Sequence, residues 1–201
     1  VPTVTRISPQ KKKDRVNVYL DGKFGFGIDY ENYVLLKLKV EQELTVQEVE
    51  KIKNKADYQK NLGKIINFAT RRPRSEQEFK DWLYRKKVPK SQHKKLFIIL
   101  KKYDYLDDLE FAKWWISERI TFSPRGKRAL VAELRAKRIS SDIIDTVIGD
   151  MAIDEFKSAK ELVEKNSYKW KGYKGEAKKK KIFEFLARKG YSWEDIKKAI
   201  D

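Results

Sequence analysis

Two stretches of this sequence, Glu78-Phe79-Lys80 and Glu155-Phe156-Lys157, place a carboxylate and an ammonium two positions apart. Some nucleases use that spacing to hold Mg²⁺ beside a reacting phosphate. In a chain of which 38% is charged the pattern arises readily by chance, and both instances sit in helical patterns instead of beside a strand. Asp107-Asp108 precedes an apolar helical stripe, where capping that helix is a better assignment than holding a metal. The single histidine, His93, opens the stripe Leu96, Phe97 and Leu100, which makes it a rim or packing residue before a catalytic one. The sequence contains no cysteine, so zinc would lack the sulfur and most of the nitrogen ligands it takes. Catalysis, a bound metal and a cofactor are therefore not expected.

Binding chemistry is better represented. The formal net charge is +17, and it is unevenly spread: the excess is +2 over residues 1–57, +10 over 58–104, zero over 105–153 and +5 over 154–201. Such asymmetry suits an acidic partner or a phosphate backbone better than a uniformly solvated face. Within the most basic segment Arg71, Arg72 and Arg74 surround Pro73 at a junction between two helical stripes, and at least two of them are expected in solvent. Lys86 and Lys87 close the next helix at the negative end of its dipole. Arg125, Lys127, Arg128 and Lys137 form a second set, and Trp170 stands between Lys169 and Lys171 in an aperiodic basic stretch. These ten residues are the candidates for contact with a partner or nucleic acid. Trp82 and Trp115 read as core and Trp114 as an edge residue.

The elements that would position them form an array. RRPRSEQEFKDWLYRKK from Arg71 and ITFSPRGKRALVAELRAKR from Ile120 superimpose at an offset of 51 residues, setting Pro73 on Pro124, Leu83 on Leu134 and Lys86 on Lys137. KIFEFLARKGYSWEDI from Lys181 follows at an offset of 52, setting Leu186 on Leu134 and Lys189 on Lys137. A helical unit is reused, which is the signature of a repeat protein whose long surface serves a partner more readily than a pocket serves a substrate. Each unit reads as three helices, giving repeats at 58–104, 105–153 and 154–201. Ser75 and Gly126 occupy equivalent N-cap positions, and Ser75 has Glu78 three residues on. Ser167 to Lys181 lacks periodicity and reads as an exposed basic loop or frayed helix.

Residues 1–57 are of another kind. Arg15–Leu20 alternates in hydrophobicity, Lys23–Ile28 puts Phe24, Phe26 and Ile28 on one side, and Asp21-Gly22 supplies a two-residue turn. A β-hairpin is expected, with further strands at Thr3–Ile7 and Tyr33–Leu36. Thr45 with Glu48 forms a capping box that opens a short helix through Lys55. The opening VPTVTRISPQKKKD has no apolar signal region and no run of 18 apolar residues occurs, so a soluble protein of a cell interior, without disulfides, is expected.

Four ordered motifs are more specific than any of these features: R-R-P-R-S-x-x-E-F-x-x-x-L at Arg71–Leu83, Y-L-D-D-x-x-F-A-x-x-W at Tyr105–Trp115, P-R-G-x-x-x-L-x-x-E-L-x-x-K at Pro124–Lys137, and R-K-G-Y-S at Arg188–Ser192. Together they resemble the RecX family of recombination regulators over nearly the whole chain. Lys137-Arg138 stands where the family's second repeat usually has Lys-Gly. The resemblance implies a cytoplasmic, non-enzymatic modulator, mostly an inhibitor, of the RecA recombinase. Such a protein engages the RecA filament on single-stranded DNA and lowers its ATPase, strand-exchange and coprotease activities. The expected architecture is mainly α, with tandem three-helix repeats in an elongated curved array after a small β-hairpin domain, acting as a monomer. The competing reading is a basic DNA-binding module that affects recombination indirectly. A metal-dependent nuclease is a remote third.

Overall fold

The computed structural model describes residues 1–11, 14–151 and 153–200, which are mainly helical. They form two compact units, Val1–Phe68 with Val88–Leu96, and Ala69–Lys87 with Phe97–Asp201.

In the first unit β1 (Val4–Pro9), β2 (Arg15–Leu20) and β3 (Lys23–Asp29) make an antiparallel sheet in the order β1-β2-β3. Alternation works as the sequence implies: Val16, Val18 and Leu20 are buried. Asp21 and Gly22 both take positive φ, 48° and 78°, the geometry that lets a two-residue loop follow the strand twist. Phe24 departs from expectation. Val18 pairs with Phe26 but Tyr19 pairs with Phe24, so Gly25 is an extra residue that inverts the alternation. Phe24 therefore lies on the outer face, 60% exposed, its ring 6.0 Å from that of Tyr19.

Tyr33–Leu36 is not a strand. Asp29 accepts the Asn32 backbone N–H at 2.8 Å and starts a helix, α1 (Tyr30–Leu35). The capping box at Thr45 forms in both directions: Glu48 N–H donates to Thr45 Oγ1, and Thr45 N–H donates to the Glu48 carboxylate. The helix it opens, α2 (Val46–Ala69), runs unbroken past the expected end at Lys55, because no proline interrupts it. Leu38, Leu44, Val49, Ile52 and Ala56 close the core beneath the sheet.

The remaining helices are α3 (Glu76–Arg85), α4 (Lys90–Lys102), α5 (Asp108–Phe122), α6 (Lys127–Ala136), α7 (Ser141–Asp150), α8 (Glu155–Lys165), α9 (Gly175–Arg188) and α10 (Trp193–Ile200). Phe111, Ile116, Leu130, Leu134, Ile144 and Val147 form the core of α5–α7. Leu162, Trp170, Ile182, Leu186, Tyr191 and Ile196 form that of α8–α10. The equivalent residues Leu83, Leu134 and Leu186 are all fully buried, as the repeat alignment requires. Two stripe members are exposed: Tyr103 at 57% and Phe156 at 39%, Tyr103 just past the end of α4 and Phe156 in the first turn of α8, where neither is drawn into the core. The basic stretch from Ser167 is also more ordered than expected, with a 3-10 turn at Ser167–Trp170 before α9 begins at Gly175.

Candidate partner-binding surface

The second helix of every repeat ends the same way. Lys86, Lys137 and Lys189 are the C-caps of α3, α6 and α9, and the next residue takes a left-handed conformation: Lys87 at φ 52°, Arg138 at 61° and Gly190 at 85°. A buried apolar residue follows each time, Val88, Ile139 and Tyr191, which is the αL cap with its hydrophobic seal. Arg138 thus ends its helix as the usual glycine would, in a backbone conformation that disfavours a Cβ. Lys86 and Lys87 project from such a cap and are exposed.

At the other end of α3 the arginines behave differently from expectation. Ser75 caps the helix, accepting the Glu78 N–H at 3.2 Å, while the Glu78 carboxylate is taken by cations. Arg72 donates to both of its oxygens at 3.0 Å, Lys137 Nζ from the following repeat lies at 2.6 Å, and Arg74 is 4.0 Å away. Arg72 also lies over the Trp114 ring at 5.2 Å. Of the three arginines around Pro73 only Arg71 is exposed, so the expected solvent cluster is corrected: Arg72 and Arg74 are held at Glu78. Burial acts to raise the Glu78 pKa, but the hydrogen bonds from Arg72 and Lys137 outweigh it and leave the group below its ordinary value. Arg74 is lowered by burial and by its neighbours Arg72, Arg71 and Arg85, with Glu78 opposing.

A second carboxylate organises the middle repeat. Glu133 accepts from Trp115 Nε1 at 2.8 Å and Arg119 Nε at 2.7 Å, and Arg125 Nε stands 3.8 Å from its other oxygen. Trp115 is consequently half-buried, with Arg119 and Lys137 over its ring. Trp114 is an edge residue against Phe111 and Trp115, and Trp82 is buried. Glu133 was legible only as a motif letter, since its partners lie 14 and 18 residues away on α5.

The remaining candidates divide clearly. Arg128 is exposed, and Lys127 is half-buried with its backbone N–H donating to Glu155 at 2.9 Å. Trp170 is not in an exposed loop. It is 6% exposed, packs edge-on against Phe185 at 5.3 Å and donates Nε1–H to the Val163 carbonyl, because the 3-10 turn folds it back onto α8 and α9. Asp107 caps α5 as expected, accepting from Leu109 and Glu110. Asp108 instead accepts the Glu76 N–H at the start of α3 at 2.8 Å, and burial raises its pKa against that bond. His93 Nε2 lies 2.9 Å from the Val88 carbonyl at the rim of α4. Among the described residues no group of three His, Asp or Glu side chains is placed to hold a metal ion, and no helix is long and apolar enough to cross a membrane.

These repeats have known counterparts. Residues 2–45 match the family model of the regulatory protein RecX N-terminal domain, 107–148 that of the second three-helix domain of RecX, and 153–200 that of the third. The chain is 32% identical to the regulatory protein RecX of Bacillus licheniformis over 202 residues, covering 100% of this chain and 77% of that protein. It is also 32% identical to the Bacillus subtilis protein of the same name, with the same shares covered. The chain belongs to the RecX family. A crystal structure of regulatory protein RecX has the same fold, with a TM-score of 0.66 at 21% identity over 98% of both chains. RecX from Lactobacillus salivarius matches 72% of this chain and 94% of its own at a TM-score of 0.60 and 20% identity. The RecX assignment gives the chain a regulatory role, and the ends of α6 and α9 described above lie within its second and third three-helix domains.

Proposed function

We propose that this chain regulates RecA, mostly as an inhibitor, by binding the RecA filament on single-stranded DNA and lowering its ATPase, strand-exchange and coprotease activities. The observation that carries the reading is membership of the RecX family, combined with exposed cations on the repeats. Its repeats, at 58–104, 105–153 and 154–201 behind an N-terminal domain at 1–57, would contact neighbouring protomers, and DNA, as a monomer in the cytoplasm. Such contact obstructs changes in filament extension and needs no catalytic step. Arg71, Lys86, Lys87 and Arg128, with side chains free to reach a partner, are the first contacts assigned to it. Arg72, Arg74 and Lys137 act by shaping the surface that carries them.

The test is a titration of ATP hydrolysis by a cognate RecA on single-stranded DNA. Inhibition well below one copy per protomer is expected, because a blocked groove or end affects many subunits. Unchanged hydrolysis at equimolar protein removes the reading. The alternative, a DNA-binding module acting indirectly, is favoured by the basic cluster of the third repeat, and tight binding that does not require RecA on the DNA would select it.

A further inference from the structure

The middle repeat is the one without an excess of basic charge, and it carries a groove of a different kind from the cationic surfaces of its neighbours. Residues 105–153 have no net charge, whereas 58–104 carry an excess of +10 and 154–201 of +5. An open groove of about 540 Å³ lies between α5 and the end of α7, with Pro73 of the first repeat also lining it. Trp114, Val147 and Met151 make its lining apolar. Val147 is buried, but Trp114 and Met151 are only half-buried and keep surface that the fold does not cover. Trp114 rests on Phe111 and Trp115, and Arg72, which lies over its ring, is already bound to Glu78.

The rim of this groove is acidic. Glu110 and Asp150 are exposed there beside Lys113. Lys113 Nζ lies 2.9 Å from the Glu110 carboxylate, and Asp107, which accepts the Glu110 N–H at 3.0 Å, adds a third carboxylate to the same edge. The hydrogen bond and charge of Glu110, helped by Asp107 and Asp150, raise the Lys113 pKa. Asp150 makes no salt bridge among the described residues. It ends α7, where a carboxylate opposes the helix dipole and does nothing for the helix. Surplus carboxylates around an uncovered apolar surface, on a chain of net charge +17, select a partner by charge. A nucleic acid or an acidic peptide is attracted to the first and third repeats and repelled here, whereas a cationic segment is drawn to this edge.

We propose that this groove docks a protein segment in which an apolar side chain is flanked by lysine or arginine, the apolar group entering between Trp114 and Met151 and the cations meeting Glu110 and Asp150. Tryptophan offers such a segment a large face to desolvate, and the unbranched thioether of methionine adapts to the shape that enters. The groove deepens the RecA-filament reading and rests on it for the protein that carries the segment. It gives the chain a contact with protein that is separate from its exposed cations.

Met151 is the single methionine of the chain, so carbon-13 methyl labelling of methionine gives one NMR resonance, and it reports from the groove. The full chain is titrated with acetyl-KKFLKK-amide, with acetyl-EEFLEE-amide and with a cognate RecA filament on single-stranded DNA. The basic peptide should shift the resonance to saturation, the acidic one should leave it in place, and the filament should broaden it away. Glu110→Lys/Asp150→Lys should bind the basic peptide about tenfold more weakly and inhibit RecA hydrolysis less than the parent. Glu110→Gln/Asp150→Asn, which removes charge without adding repulsion, should fall between the two, and unchanged melting of either variant separates charge from folding. The proposal is overturned if the basic peptide leaves the resonance in place or the acidic one shifts it equally. It is overturned too if the resonance moves on dilution of the chain alone, which would put a second copy in the groove, or if the parent inhibits RecA and the lysine variant inhibits it equally well. A parent that leaves RecA hydrolysis unchanged while the basic peptide still shifts Met151 would remove the RecA reading and keep the groove.

Discussion

Two junctions between successive repeats are built at equivalent positions and held by opposite means. Between the first and second repeats the N-terminus of α3 is met by side chains: Asp108 accepts the Glu76 N–H, and Glu78 is shared by Lys137, Arg72 and Arg74. Between the second and third the N-terminus of α6 is met by backbone. Gly126 N–H donates to the Lys189 carbonyl, and a Cβ on Gly126 would stand 2.3 Å from the Gly190 carbonyl oxygen. A Cβ on Gly190 would in turn stand 2.5 Å from Ala129. The residues that decide this occupy matching positions: Ser75 against Gly126, Glu78 against Ala129, Arg138 against Gly190. Small residues permit backbone contact, and large charged ones require a salt-bridged spacer. Only the N-cap acceptor is common to both, since Glu155 receives the Lys127 N–H as Asp108 receives that of Glu76.

The largest expected effect calibrates the comparison. Leu134→Ala removes a fully buried side chain from the middle core and should cost about 2–5 kcal/mol in urea unfolding. A shift near zero would break the repeat equivalence on which both junctions are aligned. Gly190→Ala comes next, at about 2–4 kcal/mol, because it combines a left-handed Cβ with overpacking against Ala129. If it melts like the parent, the backbone contact does not hold that junction together.

The charged junction should yield less. Glu78→Gln leaves Arg72 and Lys137 without their ionic acceptor and should cost about 1–2 kcal/mol at neutral pH. The Glu78 pKa is lowered on folding, so its stabilisation is complete above the ordinary glutamate value and is lost as pH falls through the folded one. The gap between parent and variant should therefore close in acid, and a gap independent of pH would mean that packing, not charge, joins these repeats. The smallest effect has the opposite sign. Arg138→Gly relieves a left-handed arginine and should stabilise by about 0.5–1 kcal/mol, whereas the reverse kind of change, Gly190→Ala, destabilises. A Gly190→Ala loss no larger than the Arg138→Gly gain would end the distinction between the junctions, since only Gly190 adds close packing against Ala129 to the left-handed backbone.

Much of the fold was legible because the signals are local. Period-3.6 stripes, the Thr45 box, the Ser75 and Gly126 caps and the Asp21-Gly22 turn each depend on residues within one or two turns of chain, and the offsets of 51 and 52 multiply that evidence. Where one local signal competed with another the reading failed. Asp29 converted an apolar run into α1, and Gly25 turned Phe24 outward. The candidate surface was less legible because charge on a sequence does not say which acid it will meet. Arg72 and Arg74 read as free cations until Glu78 received them.

The sequence by itself determined the helical repeat, its caps, its buried leucines and its excess of basic charge, since periodicity, capping chemistry and composition are properties of neighbouring residues. Tertiary structure alone decided which cations are consumed in the fold and which remain for a partner. Lys137 reaches Glu78 across 59 positions, Trp170 is drawn in by Phe185, and Lys169 and Lys189 share that ring. The pairing of charges depends on distances between repeats, which are set by side-chain size at the junctions and are not encoded in any single stretch of chain.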